Sequence, residues 1–146
     1  MPNKSLPAFT LLEILLVVAI ISIVSGIGLS IYQSYQNKNS LIIAANTIKQ
    51  TLRRAQVASQ ANDGNTTWGV KIQTGNIILF KGTSYALRDT TYDETFEMPT
   101  TLAIGGIQEI TFTIMYGLPS TFGTISLTTL NNDSIIIDIN AKGRIQ

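Results

Sequence analysis

The chain has 146 residues, enough for one domain and a separate anchoring segment. Ten Lys+Arg against nine Asp+Glu leave a formal net charge of +1, so nothing attracts nucleic acid in general and any such binding would need a local patch. There is no Cys and no His, which removes disulfide stapling, the usual zinc ligands and the Ser-His-Asp and Cys-His nucleophile systems.

Charged residues make up 13% of the chain, about half the usual quarter, and none occurs from Ile14 to Asn37. Residues Ile14–Ile31 read ILLVVAIISIVSGIGLSI. A helix needs about 20 such residues to cross a hydrocarbon core of ~30 Å. A soluble helix that is apolar all round needs a larger domain around it than the remaining residues supply. A secretory signal would have an apolar run of about 7–15 residues followed by a small-x-small cleavage site. Here the run is longer and Glu13 stands at its start, so a retained transmembrane helix is expected. A carboxylate inside a bilayer costs about 2.5–3.5 kcal/mol on insertion scales, so Glu13 needs a partner or a place among the headgroups. Near a helix start it also favours the positive end of the helix dipole.

The stretch PAFTLLEILLVVAIISIV resembles the leader and anchor of type IV pilins and type II secretion pseudopilins. In that family a small residue precedes a phenylalanine, the cut falls between them, and a glutamate stands fifth in the mature chain. The resemblance implies cleavage by prepilin peptidase between Ala8 and Phe9, with Phe9 becoming the N-methylated terminus. It implies that Glu13 pairs with the terminal amine of a neighbouring subunit's Phe9 during assembly. Thr10, Leu11 and Leu12 fit the pattern, whereas Ala8 stands where most members have Gly. Loss of the leader removes Lys4 and leaves nine residues of each charge sign.

Beyond Ile31 the polarity rises through Tyr32, Gln33, Ser34, Tyr35, Gln36, Asn37 and Lys38, which suits a membrane interface or an ordinary helix surface. From there Leu41, Ala45, Ile48, Leu52 and Ala55 recur at helical spacing, with Lys49, Gln50, Arg53, Arg54 and Gln56 largely opposite. No Pro or Gly interrupts the run from Leu29 to Asn62, and Asp63-Gly64-Asn65 ends it. The expected helix runs from about Phe9 to Asn62, with its first half apolar all round and its second half one-sided. Gly26 and Gly28 weaken the first half or allow close helix packing. The adjacent Arg53 and Arg54, with no interleaved aromatics, read as a solvated face.

After Gly64 the pattern changes to short strands: Trp68–Gln73, Asn76–Lys81, Thr101–Ile104, Ile107–Ile114, Thr121–Leu130 and Ser134–Asn140, with Arg144-Ile145 as a last short segment. Gly105-Gly106 reads as a two-residue hairpin turn. The alternation in 111–114 and 126–128 suits a half-covered antiparallel sheet, whose open face the Leu41–Ala55 stripe would cover. LRRAQVASQ, ITFTIMYGLPSTFGTISL and IIIDINAKGRIQ resemble the minor-pilin group related to the H-type pseudopilin. Here Arg54 precedes Ala55, and Gln56 replaces that group's usual Arg.

The expected fold is therefore α+β and pilin-like: a leader (residues 1–8), a transmembrane and assembly helix (9–37), and a head (38–146) in which the helix packs against an antiparallel sheet. The expected function is a structural subunit, of the minor kind, of a type IV pilus or type II secretion pseudopilus; no enzyme activity and no cofactor are expected. Its partners would be other pilin or pseudopilin subunits, prepilin peptidase, the inner-membrane assembly platform and the lipid bilayer. It would start as a single-pass inner-membrane precursor and end in a cell-surface pilus or periplasmic pseudopilus. The alternative is a membrane-anchored binding module, for example one contacting DNA through Lys142 and Arg144. An anchored enzyme is third in order, since Ser120 beside Pro119 has no visible base. The acidic stretch Arg88–Glu97 offers oxygen ligands for Ca²⁺ without EF-hand spacing, and otherwise reads as a solvated loop.

Overall fold

The computed structural model describes residues 9–146, with the side chains of 27–31 left out of the description. One helix, α1 (Leu11–Gln60), opens the described chain, and the described residues divide into two compact units, one up to Gln36 and the other Asn37–Gln146. The second unit holds the remainder of α1 and seven strands. These are β1 (Trp68–Gln73), β2 (Asn76–Lys81), β3 (Asp89–Glu97), β4 (Ala103–Gly106), β5 (Glu109–Phe112), β6 (Gly123–Thr128) and β7 (Ser134–Ile139).

The strands form two antiparallel sheets, β3-β2-β1-β5 and β4-β6-β7, rather than the single sheet expected. The expected helical stripe is buried as read: Leu41, Ala45, Ile48, Leu52 and Ala55 are all covered, together with Ala44 and Thr51. Against them pack Val70, Ile72, Ile77, Leu79, Ile110 and Phe112 of the first sheet, and Ile125, Leu127, Ile137 and Ile139 of the second. Period-two alternation puts these strand residues on one face, and full burial of each large side chain is worth about 1.5–3 kcal/mol. The first sheet also carries apolar weight on its other face. There Phe80 packs edge-on to Tyr85, ring centroids 5.7 Å apart. Gly69 leaves the room, because a Cβ there would collide with the Phe80 ring and the Thr111 methyl.

α1 stops where its side chains and backbone both find other partners. Asn62 takes the left-handed conformation at φ 56°, which Asn tolerates better than most residues. The buried Ser59 hydroxyl accepts the Trp68 N–H at 2.9 Å, and the Ser59 carbonyl accepts the Met115 N–H at 3.0 Å. The helix end is thereby tied to β1 and to the loop after β5.

Two expectations need correction. Residues 89–97 form an edge strand, not a loop. Its pairing jumps from Leu79↔Glu94 to Lys81↔Asp89, so residues 90–93 bulge from the ladder. In the bulge the Tyr92 ring lies 4.1 Å from the Lys81 ammonium, and Asp93 returns to the Arg88 guanidinium at 2.8 Å. Gly105-Gly106 is likewise no turn: both glycines lie in β4, paired with Ser126 and Ile125 of β6. Their Cβ atoms would strike Ser126 Oγ and the Thr124 carbonyl, so glycine marks a close approach within the sheet. The last short segment is present as a bridge from Ile139 to Ile145.

Asp89 lies at the start of β3, its Oδ1 accepting the Thr91 N–H at 3.1 Å. Its carboxyl is held below the usual aspartate range, first by the Thr91 hydroxyl and then by the Thr91 N–H. A depressed folded-state pKa adds stability above the ordinary aspartate range, and that stability is lost as pH falls through the folded value. Thr91→Val should therefore raise the Asp89 carboxyl pKa in an NMR titration and shrink this acid-side loss; an unmoved pKa contradicts the assignment. Leu52→Ala should cost about 2–5 kcal/mol in denaturant unfolding, against less than about 0.5 kcal/mol for the exposed Val57→Ala. Equal effects would contradict the placement of the stripe.

Candidate assembly surface

The start of α1 is set by its own sequence. The Thr10 hydroxyl accepts the Glu13 N–H at 3.3 Å, and the Thr10 carbonyl accepts the N–H groups of Glu13 and Ile14 at 3.1 and 3.3 Å. Thr10 is thus the N-cap and Glu13 the third helical residue, the Thr-x-x-Glu spacing of a capping box. This reading was available in the sequence, since T-x-x-E directly precedes an apolar run. It places the Glu13 carboxylate in the first turn, where the helix dipole favours negative charge. Phe9, just before the cap, is exposed. The expected scissile partner, Ala8, lies outside the described residues, as does the whole leader.

Around and beyond Glu13 the helix surface is mostly apolar, and among the described residues it has no covered side. Leu11, Leu12, Ile14, Leu15, Leu16, Val17, Val18, Ile20, Ile21, Ile23 and Val24 are 46–80% exposed. Consecutive residues face different sides of a helix, so this is a cylinder of apolar side chains and not a stripe. Gly26 has nothing within 4 Å of where a Cβ would stand, and Gly28 falls among residues whose side chains are not described. Among the described residues no helix is long and apolar enough to cross a membrane. The expected span, 14–31, includes the undescribed side chains of 27–31. The ion pairs among the described residues are Arg54–Glu94, Lys71–Glu109 and Arg88–Asp93, and none reaches Glu13.

The remaining candidates fall on the second unit. Lys142 and Arg144 are exposed, their backbone N–H groups donating to the Asn140 side-chain oxygen at 3.0 and 2.9 Å. Arg144 lines an open groove with Arg53, so a helix arginine and a tail arginine stand together, while Arg54 turns away to Glu94 at 2.7 Å. No aromatic side chain lines this groove, so the stacking half of a single-strand binding platform is missing there. The acids of β3 are engaged internally at Asp93 and Glu94, and among the described residues no group of three or more acids could hold a metal ion. Ser120 bonds the Thr111 hydroxyl at 2.9 Å. Gln56, marked in the sequence only as standing where the minor-pilin group has Arg, joins two segments by donating to the Gly117 and Gly143 carbonyls, each at 3.0 Å.

No protein-family model matches the chain, and no curated protein matches it in sequence. Among solved structures it is similar to the minor pseudopilin EpsH from the type 2 secretion system of Vibrio cholerae. The TM-score is 0.55 at 12% identity, over 73% of this chain and 94% of that one. At that identity the likeness is one of fold: a long N-terminal helix packed on antiparallel sheets in an α+β, pilin-like architecture.

Proposed function

We propose that the chain is a structural subunit of a type IV pilus or type II secretion pseudopilus, and that it polymerises through the first part of α1. The observation that carries this reading is the uncovered apolar cylinder of residues 11–24, with one acid in its first turn, on a chain whose second unit completes a core of its own. Each of those side chains gains about 1.5–3 kcal/mol on full burial, so together they outweigh the cost of drawing one carboxylate into an apolar surrounding. The precursor would hold this segment in the inner membrane, and the filament would hold it among neighbouring helices. Prepilin peptidase would cut between Ala8 and Phe9, exposing an amine for methylation. The Glu13 carboxylate of one subunit would then neutralise the Phe9 amine of the next, with the assembly platform and lipid as the other partners. No observation favours the DNA-binding alternative.

Glu13→Gln separates this role from capping, because glutamine serves equally at the third position of a capping box. Removing one partner of a buried ion pair costs about 3–5 kcal/mol, a loss of at least about a hundredfold in affinity. The variant should enter the membrane fraction normally and be largely missing from sheared filaments. Normal incorporation would reduce Glu13 to a helix cap and contradict the pairing.

A further inference from the structure

One end of the second unit differs from the rest of its surface. Asn37 and Ser40, where α1 enters the unit, line a crevice with Thr101, Leu102, Thr129 and Leu130. The β1–β2 turn joins the same end, because the Gly75 carbonyl accepts the Met98 N–H at 2.8 Å. Three turns, at 73–76, 98–101 and 129–132, therefore gather around the start of the unit. None of their residues is charged. Lys38, Glu97 and Asp133 stand beside them, whereas Lys81, Arg88 and Asp89 lie at the far ends of β2 and β3.

The β6–β7 turn is the fixed point of this face. Thr129 is buried; its N–H donates to the Asp133 carbonyl at 2.9 Å, and its hydroxyl accepts the Asp133 N–H at 3.2 Å. The turn so closed holds Leu130 81% exposed, more than any other large apolar side chain described in the second unit. Turn tips are ordinarily polar, and Asn131 and Asn132 follow that rule. A lone exposed leucine is common on protein surfaces and means nothing by itself. This one stands beside Asn37, on an uncharged face.

Six residues of chain lead from Ile31, the end of the apolar run, to Asn37. Even fully extended they span no more than about 20 Å, and headgroups occupy about 5–8 Å of that. With the run in a membrane, the chain itself holds this face close to the lipid surface. We infer that in the precursor this end of the head rests on the bilayer, with Leu130 seated among the headgroups. This rests on the membrane reading above and adds the contact between head and lipid. Burial of Leu130, with hydrogen bonds from the neighbouring threonine and asparagine side chains, supplies the attraction. One lysine against two acids gives no pull toward anionic lipid, so the contact should be insensitive to salt. Entry into a filament then lifts the head off the lipid together with the helix.

The absence of cysteine makes the test direct. Leu130→Cys, Thr74→Cys, Tyr116→Cys and Val18→Cys, all at exposed positions, each carry an environment-sensitive fluorophore on the full chain. The chains are reconstituted at low density in phosphatidylcholine vesicles containing spin-labelled lipid, with the quencher either shallow or deep. The shallow quencher should act severalfold more on positions 130 and 74 than on 116, at low and raised salt alike. Position 116 is the reference because its loop is tied to Gln60, at the other end of the head's helix. Leu130→Asp should lower the quenching at position 74 severalfold, which separates a contact made by the head from a label drawn into lipid by its own apolarity. Position 18 should respond to the deep quencher. Quenching at 130 and 74 no greater than at 116, an unmoved position 74 in Leu130→Asp, or quenching seen only when copies are crowded would overturn the inference. If 18 is quenched and 130 and 74 are not, the head contact is wrong and the membrane reading stands. If 18 is not quenched either, both fall.

Discussion

The second unit depends on one helix face serving two sheets at once. Leu41, Ala45, Ile48, Leu52 and Ala55 meet residues from β1, β2 and β5 and also from β6 and β7. The two sheets share no strand pair, so this common apolar contact holds them in one unit. Small residues at Ala44, Ala45 and Ala55 let the backbone approach closely, while Ile48 and Leu52 fill the space between. Polar ties at the helix end join segments distant in sequence. Ser59 fastens the helix end to Trp68 and Met115, and Gln56 fastens the loop after β5 to the tail.

The same helix carries two opposite solutions to the burial problem. From Leu41 to Ala55 the apolar residues are confined to one face, and the chain itself provides their cover. From Leu11 to Val24 they occupy every face, and the described chain provides no cover at all. A helix of the second kind is unstable in water as a display of surface, and its stability must come from lipid or from other helices. Glu13 is consistent with either surrounding, because one turn from the N-terminus it sits at the favourable end of the dipole. The proposed function follows from this contrast, and the pilin-like fold supplies the architecture in which it makes sense.

The helix was legible because its period changes from all-round to one-sided within a run free of breakers. Most strands were legible from alternation and turn residues, with ends displaced by at most two positions (β5 is Glu109–Phe112 where 107–114 was expected). β3 was not legible. DTTYDETFE has no apolar alternation, because an edge strand with a solvated face needs none, and its threonines were outweighed by its acids. The division into two sheets was hidden for a different reason: periodicity reports which residues share a face but not which strands pair. Gly105-Gly106 misled because glycine serves both turns and close backbone approaches. At the candidate surface, Glu13 stood out as the one charge at the head of the apolar run and Phe9 entered only through family resemblance, whereas the Thr10 cap was equally visible and went unread. The rigid loop at Met115 depends on Ser59, Gln56 and Gln60, distant partners that no local pattern reveals.

The central claim is that the apolar cylinder begins at a processed terminus whose amine meets a neighbour's carboxylate. Intact-mass and N-terminal peptide mass spectrometry of the chain from its native membrane tests this most directly. The account predicts a terminus at Phe9, carrying a methyl group on its nitrogen. A terminus at Met1 in the assembled protein would contradict it, because the pairing amine would then not exist at the head of the helix.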